Sequence, residues 1–153
     1  MRFLVQRVTE ASVTVDGEVL SSFTGPGLLV LCGVAPQDTP KQAEKLCAKL
    51  LKLRIFEDAQ GAMNRSVMDV AGHVILVSQF TLYADTASGN RPGFSTAARP
   101  EIAEPLYETC CALLRESLGA RLGTGRFGAD MKVRLLNDGP CTFFLEVPPP
   151  QRL

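Results

Sequence analysis

The sequence has little of the histidine and closely spaced cysteine from which zinc centres and many catalytic bases are built. Of its 153 residues only one is a histidine, His73, and the five cysteines include no CxxC pair. A zinc site needs several cysteine or histidine ligands at close spacing, and no such spacing is present. A P-loop and a GxGxxG pattern after a strand are also missing. We therefore expect neither a metal nor a cofactor.

The sequence also lacks an excess of positive charge and any long hydrophobic run. Lysine plus arginine and aspartate plus glutamate number 16 each, so the formal net charge is zero. This balance argues against extensive phosphate contact but allows recognition of a short nucleic-acid end. No apolar stretch approaches the ~18 residues that span a bilayer. The N-terminal MRFLVQRV predicts a first strand instead of a signal peptide. We expect a cytoplasmic protein without membrane contact, whose cysteines are small buried hydrophobes.

The sequence does contain regular strand-like and helix-like segments. Asp16-Gly17 between two valine-rich arms favours a tight hairpin, and LLVLCGV fits a strand covered on both faces. Thr39 can cap a first helix, with Gln42 completing a capping box. A second helix is expected to begin near residue 100 and to end at a glycine.

These segments predict an α/β fold with two main helices and about eight strands in a mixed, mostly antiparallel, barrel-like arrangement. MKVRLL, a turn at NDGP and CTFFLEV are expected as its last strands. A chain of this length usually forms one domain. We place a single domain at residues 1–147 and a loose tail, PPPQRL, at 148–153.

The stretch SQFTLYAD places polar side chains where a buried strand would be expected to continue. If residues 74–82 form a strand, Ser78 and Phe80 share one face, while Gln79 and Thr81 share the other. These four residues supply hydrogen-bond donors, acceptors and a stacking ring. They are the candidate site.

A nucleophilic serine or threonine in this stretch would need a neighbouring base. His73 lies ~16 Å from Ser78 along the same strand, too far for a general base. Asp85 opens a loop rich in glycine and serine, where aspartate usually forms a turn. The stretch alone therefore predicts a site that binds and orients a ligand but takes its reactivity from elsewhere.

A second unusual stretch is NDGPCT, which precedes a Thr-Phe-Phe strand. Asp-Gly is a turn dipeptide and proline ends strand pairing, so a plain hairpin turn is one interpretation. The other is a functional wall, because Gly139-Pro140 presents bare backbone beside a rigid ring.

Together, SQFTL and NDGPCT resemble the two signature motifs of the D-aminoacyl-tRNA deacylase family. MRFLVQRVTEASVTVDGEV, LRIFED, AEPLYE and TGRFGADMKV are similar to that family in the same order, so the likeness covers essentially residues 1–147. The resemblance implies a homodimeric cytoplasmic enzyme that binds the 3′ end of aminoacyl-tRNA. It would hydrolyse the ester of D-aminoacyl-tRNA, and of glycine mischarged on tRNA-Ala.

The resemblance also implies roles for individual residues. Gly139 and Pro140, joined by a cis peptide bond, would enter the pocket of the other subunit and exclude L side chains. Ser78, Gln79, Phe80 and Thr81 would form the catalytic pocket, with backbone amides that hold an oxyanion and with Phe80 at the terminal adenosine. The supporting residues implied for the selector and the adenosine pocket are Arg7, Met131, Asn137 and Thr142.

Two mechanisms are associated with this family. In one, the ribose 2′-hydroxyl of the tRNA helps to activate water; in the other, the motif threonine, here Thr81, is a nucleophile. The missing base favours the first. The chain departs from the family pattern at Gly93, where serine is common, and at Cys141, where valine is usual.

Two alternatives remain open from the sequence. One is a synthetase editing domain, or a deacylase for another mischarged amino acid, with the same fold. The other is a non-catalytic homodimeric protein that uses the pocket to bind a nucleotide or metabolite.

Overall fold

The main sheet starts with a long hairpin. The computed structural model describes residues 1–150. Strand β1, Arg2–Val15, pairs antiparallel with β2, Glu18–Gly33. Asp16 and Gly17 join them with φ angles of 50° and 78°, the left-handed pair that a type I′ turn requires. The predicted hairpin is confirmed.

Five strands form the main sheet in the order β6-β5-β2-β1-β7, and two short strands form a separate ribbon. The remaining strands are β3 (Phe56–Glu57), β4 (Met63–Arg65), β5 (His73–Ser78), β6 (Leu122–Thr124) and β7 (Lys132–Glu146). Strand β5 runs parallel to β2 and β6, whereas β7 runs antiparallel to β1. The predicted α/β class with a mixed, mostly antiparallel sheet is confirmed.

Both α-helices begin where the sequence predicts, and the second also ends where it predicts. Helix α1, Pro40–Lys52, has Thr39 as its N-cap, and the Gln42 carboxamide accepts from the Thr39 N–H at 2.7 Å. Helix α2, Pro100–Leu118, ends at Gly119, whose φ is 57°. Both helices pack on one face of the sheet and enclose the main core. Its largest fully buried members include Phe3, Val5, Leu28, Leu46, Leu50, Leu76 and Leu114. All five cysteines are free and buried, as expected.

The opposite face of the sheet carries a second, smaller cluster. Val8, Val13, Leu29, Ile75 and Val77 are its buried members. Leu31 and Phe144 both pair in register with Leu4 of β1, so they share this face; Leu31 is partly buried, whereas Phe144 on β7 is more than half exposed. This face therefore leaves apolar surface on the edge strand.

Two features expected of the strands are wrong. The strand expected over 74–82 ends at Ser78, and a 3₁₀ segment, Phe80–Tyr83, follows it. The turn expected at NDGP lies inside one continuous strand, β7, because β1 runs alongside both of its halves. Residues 1–150 consequently contain seven strands instead of about eight.

The ends of the chain add little to the sheet. Residues 147–150 have no regular secondary structure, and residues 151–153 of the expected tail lie outside the described residues. Among residues 1–150, no helix is long and apolar enough to cross a membrane.

Candidate active site

The polar stretch begins where β5 leaves the sheet. Ser78, its last residue, pairs in register with Cys32 of β2, and the Gln79 amide donates to the Cys32 carbonyl at 2.8 Å. The chain then turns into the 3₁₀ segment. A Cβ on Gly33 would lie 2.9 Å from Leu82 Cβ and 3.3 Å from the Gln79 carbonyl oxygen. The glycine therefore allows the segment to fold back over the end of β2.

A pocket of about 500 Å³ opens beside this turn. Ser78, Gln79 and Phe80 form one wall. The ends of β2 and β5, the beginning of α2 and the segment that leads into β7 supply the others. Among the residues on those walls are Val34, Ala103, Tyr107, Phe127 and Met131. The mostly apolar lining suits a flat group that forms few hydrogen bonds.

An exposed aromatic pair stands at this pocket. The Phe80 side chain is 55% exposed and Phe94 is 43% exposed. Their ring centroids are 5.0 Å apart and the rings meet edge to face at 63°. Because more than half of the Phe80 side chain is exposed, its ring can stack a nucleobase.

The turn also presents free backbone donors. Phe80 and Thr81 supply the first N–H groups of the 3₁₀ segment, and neither has a hydrogen-bond acceptor within residues 1–150. Phe80 lines the pocket and Thr81 follows it directly, and free amides in such a position can stabilise an oxygen on which negative charge develops.

The ionisable side chains on the pocket wall are poor candidates for a general base. Among the described residues, the ionisable side chains that line the pocket are Cys32, Tyr107 and Asp130. Burial raises the pKa of the Tyr107 hydroxyl, which donates to the Leu76 carbonyl at 2.7 Å. Asp130 is exposed and pairs with Lys132 at 3.1 Å, and Cys32 is buried within the sheet.

The two other bases considered from the sequence lie elsewhere. His73 begins β5, at the end of the strand opposite to Ser78, where it stacks on Phe23 with ring centroids 5.0 Å apart. Asp85 forms the expected turn, because its carboxylate accepts from the Ala87 amide at 2.9 Å. Thr81 is exposed and is not among the pocket-lining residues; its hydroxyl accepts from the Gln79 carboxamide at 2.5 Å.

NDGPCT forms an excursion from strand β7. Asn137 pairs with Val8 of β1 and Thr142 pairs with Gln6, so residues 138–141 stand opposite the single residue between those two. The Asn137 side chain closes the excursion, since it accepts from the Cys141 amide at 2.7 Å and donates to the Thr142 hydroxyl at 3.0 Å. We call residues 138–141 the Gly-Pro excursion.

Arg7 holds the Gly-Pro excursion through hydrogen bonds to its backbone. Its Nε and Nη2 donate to the Asp138 carbonyl at 3.1 and 2.9 Å, while its Nη1 donates to the Ile55 carbonyl at 2.7 Å. The side chain is almost fully buried, and its Nε lies 3.7 Å from the Asp138 carboxylate. At the tip, Gly139 and Pro140 are exposed and joined by a cis peptide bond.

Comparison with known proteins identifies the family. The family model described as D-Tyr-tRNA(Tyr) deacylase matches residues 4–146. The chain belongs to this deacylase family. A D-aminoacyl-tRNA deacylase from Dinoroseobacter shibae is 58% identical over 147 residues, which cover 95% of this chain and 99% of that protein. Since that relative is matched over nearly its whole length, the similarity is to a complete deacylase and not to a part of a synthetase.

Solved structures share the fold of this deacylase. One described as c-Myc DNA Unwinding Element Binding Protein has a TM-score of 0.91 and 44% identity, covering 97% of this chain and 99% of that one. A second, described as a probable eukaryotic D-amino acid tRNA deacylase, has a TM-score of 0.82 at 17% identity, with 95% and 98% covered. Family membership makes the chain a hydrolase, and this disfavours a non-catalytic binding protein.

The two departures from the deacylase pattern leave the local structure intact. Gly93 exchanges both backbone hydrogen bonds with Asp85 at 2.8 Å, and a Cβ on Gly93 would meet its nearest neighbour at 3.9 Å. A serine would therefore fit there. Cys141 is buried, and burial raises the pKa of its thiol, so it remains a small neutral group comparable to valine.

The structure brings some of the expected deacylase residues together and separates others. Met131 lies at the pocket with Ser78, Gln79 and Phe80. Arg7, Asn137 and Thr142 instead surround the Gly-Pro excursion, whose Gly139 and Pro140 are absent from the pocket lining. Strands β1 and β2 stand between β7 and β5 in the sheet. One chain therefore carries the pocket and the excursion as two separate features.

The sequence reasoning missed the walls that face the turn. Pro100, Ala103 and Tyr107 come from α2, and Phe127 comes from the segment before β7. The sequence predicts where α2 begins and ends, but it predicts no binding role for α2 or for the segment before β7. Because Tyr107 is buried, its position in α2 is typical of a core residue, and no local signal marks it as part of a pocket wall.

Proposed function

We propose that this chain hydrolyses the ester bond between a D-amino acid and the 3′ end of tRNA, releasing both, and that it also removes glycine mischarged on tRNA-Ala. The observation that supports this most is a pocket with free amides and an exposed ring, where the one carboxylate on the wall among the described residues, Asp130, is exposed and paired with Lys132. A pocket of this kind fits a substrate that brings its own activating group. Membership in the deacylase family supports the same activity.

The chemistry assigned to the pocket follows from its donors. The terminal adenine stacks on Phe80, which places the aminoacyl carbonyl beside the Phe80 and Thr81 amides. The ribose 2′-hydroxyl helps to activate a water molecule. The water oxygen attacks the carbonyl carbon and the amides stabilise the oxyanion. The ester bond to the ribose 3′-oxygen then breaks, and that oxygen takes up the proton lost by the water, so that the tRNA leaves with a free 3′-hydroxyl. Ser78 and Gln79 line the site without acting as nucleophiles.

The chirality of the reaction is assigned to the Gly-Pro excursion of a second copy of the chain. In a homodimer, Gly139 and Pro140 of one subunit enter the pocket of the other and leave room for hydrogen or a D side chain only. Three observations support this arrangement: the excursion is exposed, it lies apart from the pocket of its own chain, and β7 carries exposed Leu136 and Phe144. We place the enzyme in the cytoplasm, where five free cysteines are stable.

The direct test compares D-tyrosyl-tRNA, L-tyrosyl-tRNA and glycyl-tRNA-Ala as substrates. We expect release of amino acid from the first and third, and none from the second above the spontaneous rate. Equal release from both tyrosyl enantiomers would contradict chiral selection. Absence of release from all three would leave a binding protein as the explanation of the pocket.

A further inference from the structure

Arg2 lies in the same row of the sheet as the glycine on which the 3₁₀ segment rests. It pairs in register with Gly33 on β2 and with Glu146 on β7, so these three positions share one face of the sheet. The 3₁₀ segment occupies the space above Gly33. The Arg2 side chain therefore stands directly beside the segment, between it and the edge strand.

The Arg2 guanidinium contacts the segment in two ways: one N–H group forms a hydrogen bond, and the planar face stacks on an aromatic ring. Its Nη1 donates to the Leu82 carbonyl at 2.7 Å, and its Nε donates to the Glu146 carboxylate. The central carbon lies 4.2 Å from the centroid of the Tyr83 ring and 5.5 Å from that of Phe144. Only a planar guanidinium can form hydrogen bonds in its plane while it stacks on a ring.

The backbone that carries Arg2 is itself firmly held. The preceding Met1 is fully buried, and its ammonium group donates to the Asp38 carboxylate at 2.9 Å and to the Val147 carbonyl at 2.8 Å. The contact between Arg2 and the segment therefore connects the segment to the rigid beginning of the sheet.

We propose that Arg2 is a positioning residue for deacylation, an inference that rests on the proposed function. Through Leu82 and Tyr83 it fixes the segment whose first residues present the free amides and the Phe80 ring. Arg2 is not among the residues that line the pocket, so its effect passes through the segment. The neutral Thr96 hydroxyl also donates to the segment backbone, at the Tyr83 carbonyl. Arg2 is the charged side chain that bonds to this backbone among the described residues.

Replacing Arg2 by methionine keeps much of the side-chain stem and removes the donors and the planar group. We expect kcat for D-tyrosyl-tRNA to fall about tenfold while KM changes less than about twofold, because misplaced amides act mainly on the transition state. Arg2→Lys should give an intermediate kcat, since a lysine can donate to Leu82 or Glu146 but cannot stack as a plane. Amide hydrogen exchange at residues 82–84 should be faster in Arg2→Met.

The matched control is Arg121→Met, measured at a temperature where all variants are folded. Arg121 is also partly buried, and its Nη1 donates to the Gly72 carbonyl at 2.8 Å, away from the pocket. We expect the control to lose stability and to keep its kcat. An unchanged kcat in Arg2→Met, or an equal loss in the control, would overturn the positioning role. An inactive wild type would refute the proposed function instead, and the exchange rates would still report whether Arg2 holds the segment.

Discussion

At the scale of single residues, the polar side chains of Ser78, Gln79 and Thr81 have different hydrogen-bond partners and therefore different chemical roles. Ser78 still belongs to β5 and faces the pocket. The Gln79 carboxamide is engaged by Thr81, and the Thr81 hydroxyl points to neither the pocket nor a base. A hydroxyl in that position is poorly suited to attack an ester.

Thr81→Ala should therefore keep most of the deacylase activity. We expect kcat within about threefold of wild type, because the Thr81 backbone amide remains and only the bond to Gln79 is lost. Single-turnover deacylation of D-tyrosyl-tRNA measures this, with Thr81→Ser as the control that retains a hydroxyl. A large loss in the alanine variant alone, together with an aminoacyl-threonine adduct trapped in mass spectrometry, would assign Thr81 as the nucleophile.

Arg7 is buried, and it stabilises the Gly-Pro excursion through the geometry of its guanidinium group more than through its charge. A lysine keeps the charge but cannot donate to the Asp138 and Ile55 carbonyls together. We expect Arg7→Lys to lower the free energy of unfolding by about 1–3 kcal/mol. Denaturant unfolding provides the measurement, with Arg134→Lys on the exposed side of β7 as the control. Identical midpoints for Arg7→Lys and wild type would show that the excursion holds its shape without the guanidinium fork.

At the scale of elements, the sequence predicts those features whose cause is local. The Asp16-Gly17 hairpin and the Thr39 cap depend on neighbouring residues, so they could be read directly. The Gly-Pro excursion could not, because its shape depends on Arg7, which lies more than a hundred positions away and donates to Asp138. The end of β5 could not be predicted from local sequence either, because it depends on the contact of the following turn with Gly33 of β2.

That contact gives a prediction for the 3₁₀ segment. Gly33→Ala would place a methyl group 2.9 Å from Leu82 Cβ and 3.2 Å from the Tyr83 ring, so the segment must move away from β2. We expect kcat to fall about tenfold, as for other small displacements of catalytic groups. Gly93→Ala is the matched control, because its Cβ would have no neighbour closer than 3.9 Å. Wild-type kcat in Gly33→Ala would mean that the segment tolerates displacement, which would also weaken the role assigned to Arg2.

At the scale of the whole molecule, the proposed chiral selection requires two chains. In that proposal the pocket holds the adenosine and the ester, and neither Gly139 nor Pro140 of the same chain lines it. The Gly-Pro excursion is rigid and exposed, but it has no pocket of its own. Zero net charge fits a protein that recognises only the end of tRNA through such a composite site.

The composite site can be tested by mixing two defects. Phe80→Ala removes the stacking ring from the pocket. Gly139→Ala damages the excursion within its own chain, since φ is +146° there and the new Cβ would lie 3.0 Å from the Cys141 amide nitrogen. Each variant alone should be a weak deacylase, and each should be checked for thermal unfolding to confirm that it folds.

The two variants are then co-expressed with different affinity tags and the doubly tagged dimer is isolated. The tags belong at the C-terminus, because the Met1 ammonium is buried against Asp38. If the excursion enters the partner's pocket, one of the two sites in a mixed dimer combines two intact halves, so kcat/KM should return to about half of the wild-type value. If pocket and excursion act within one chain, every site carries a defect and the mixed dimer stays as weak as its parents. Failure to recover any doubly tagged species would show that the chain does not dimerise, and chiral selection would then require another wall.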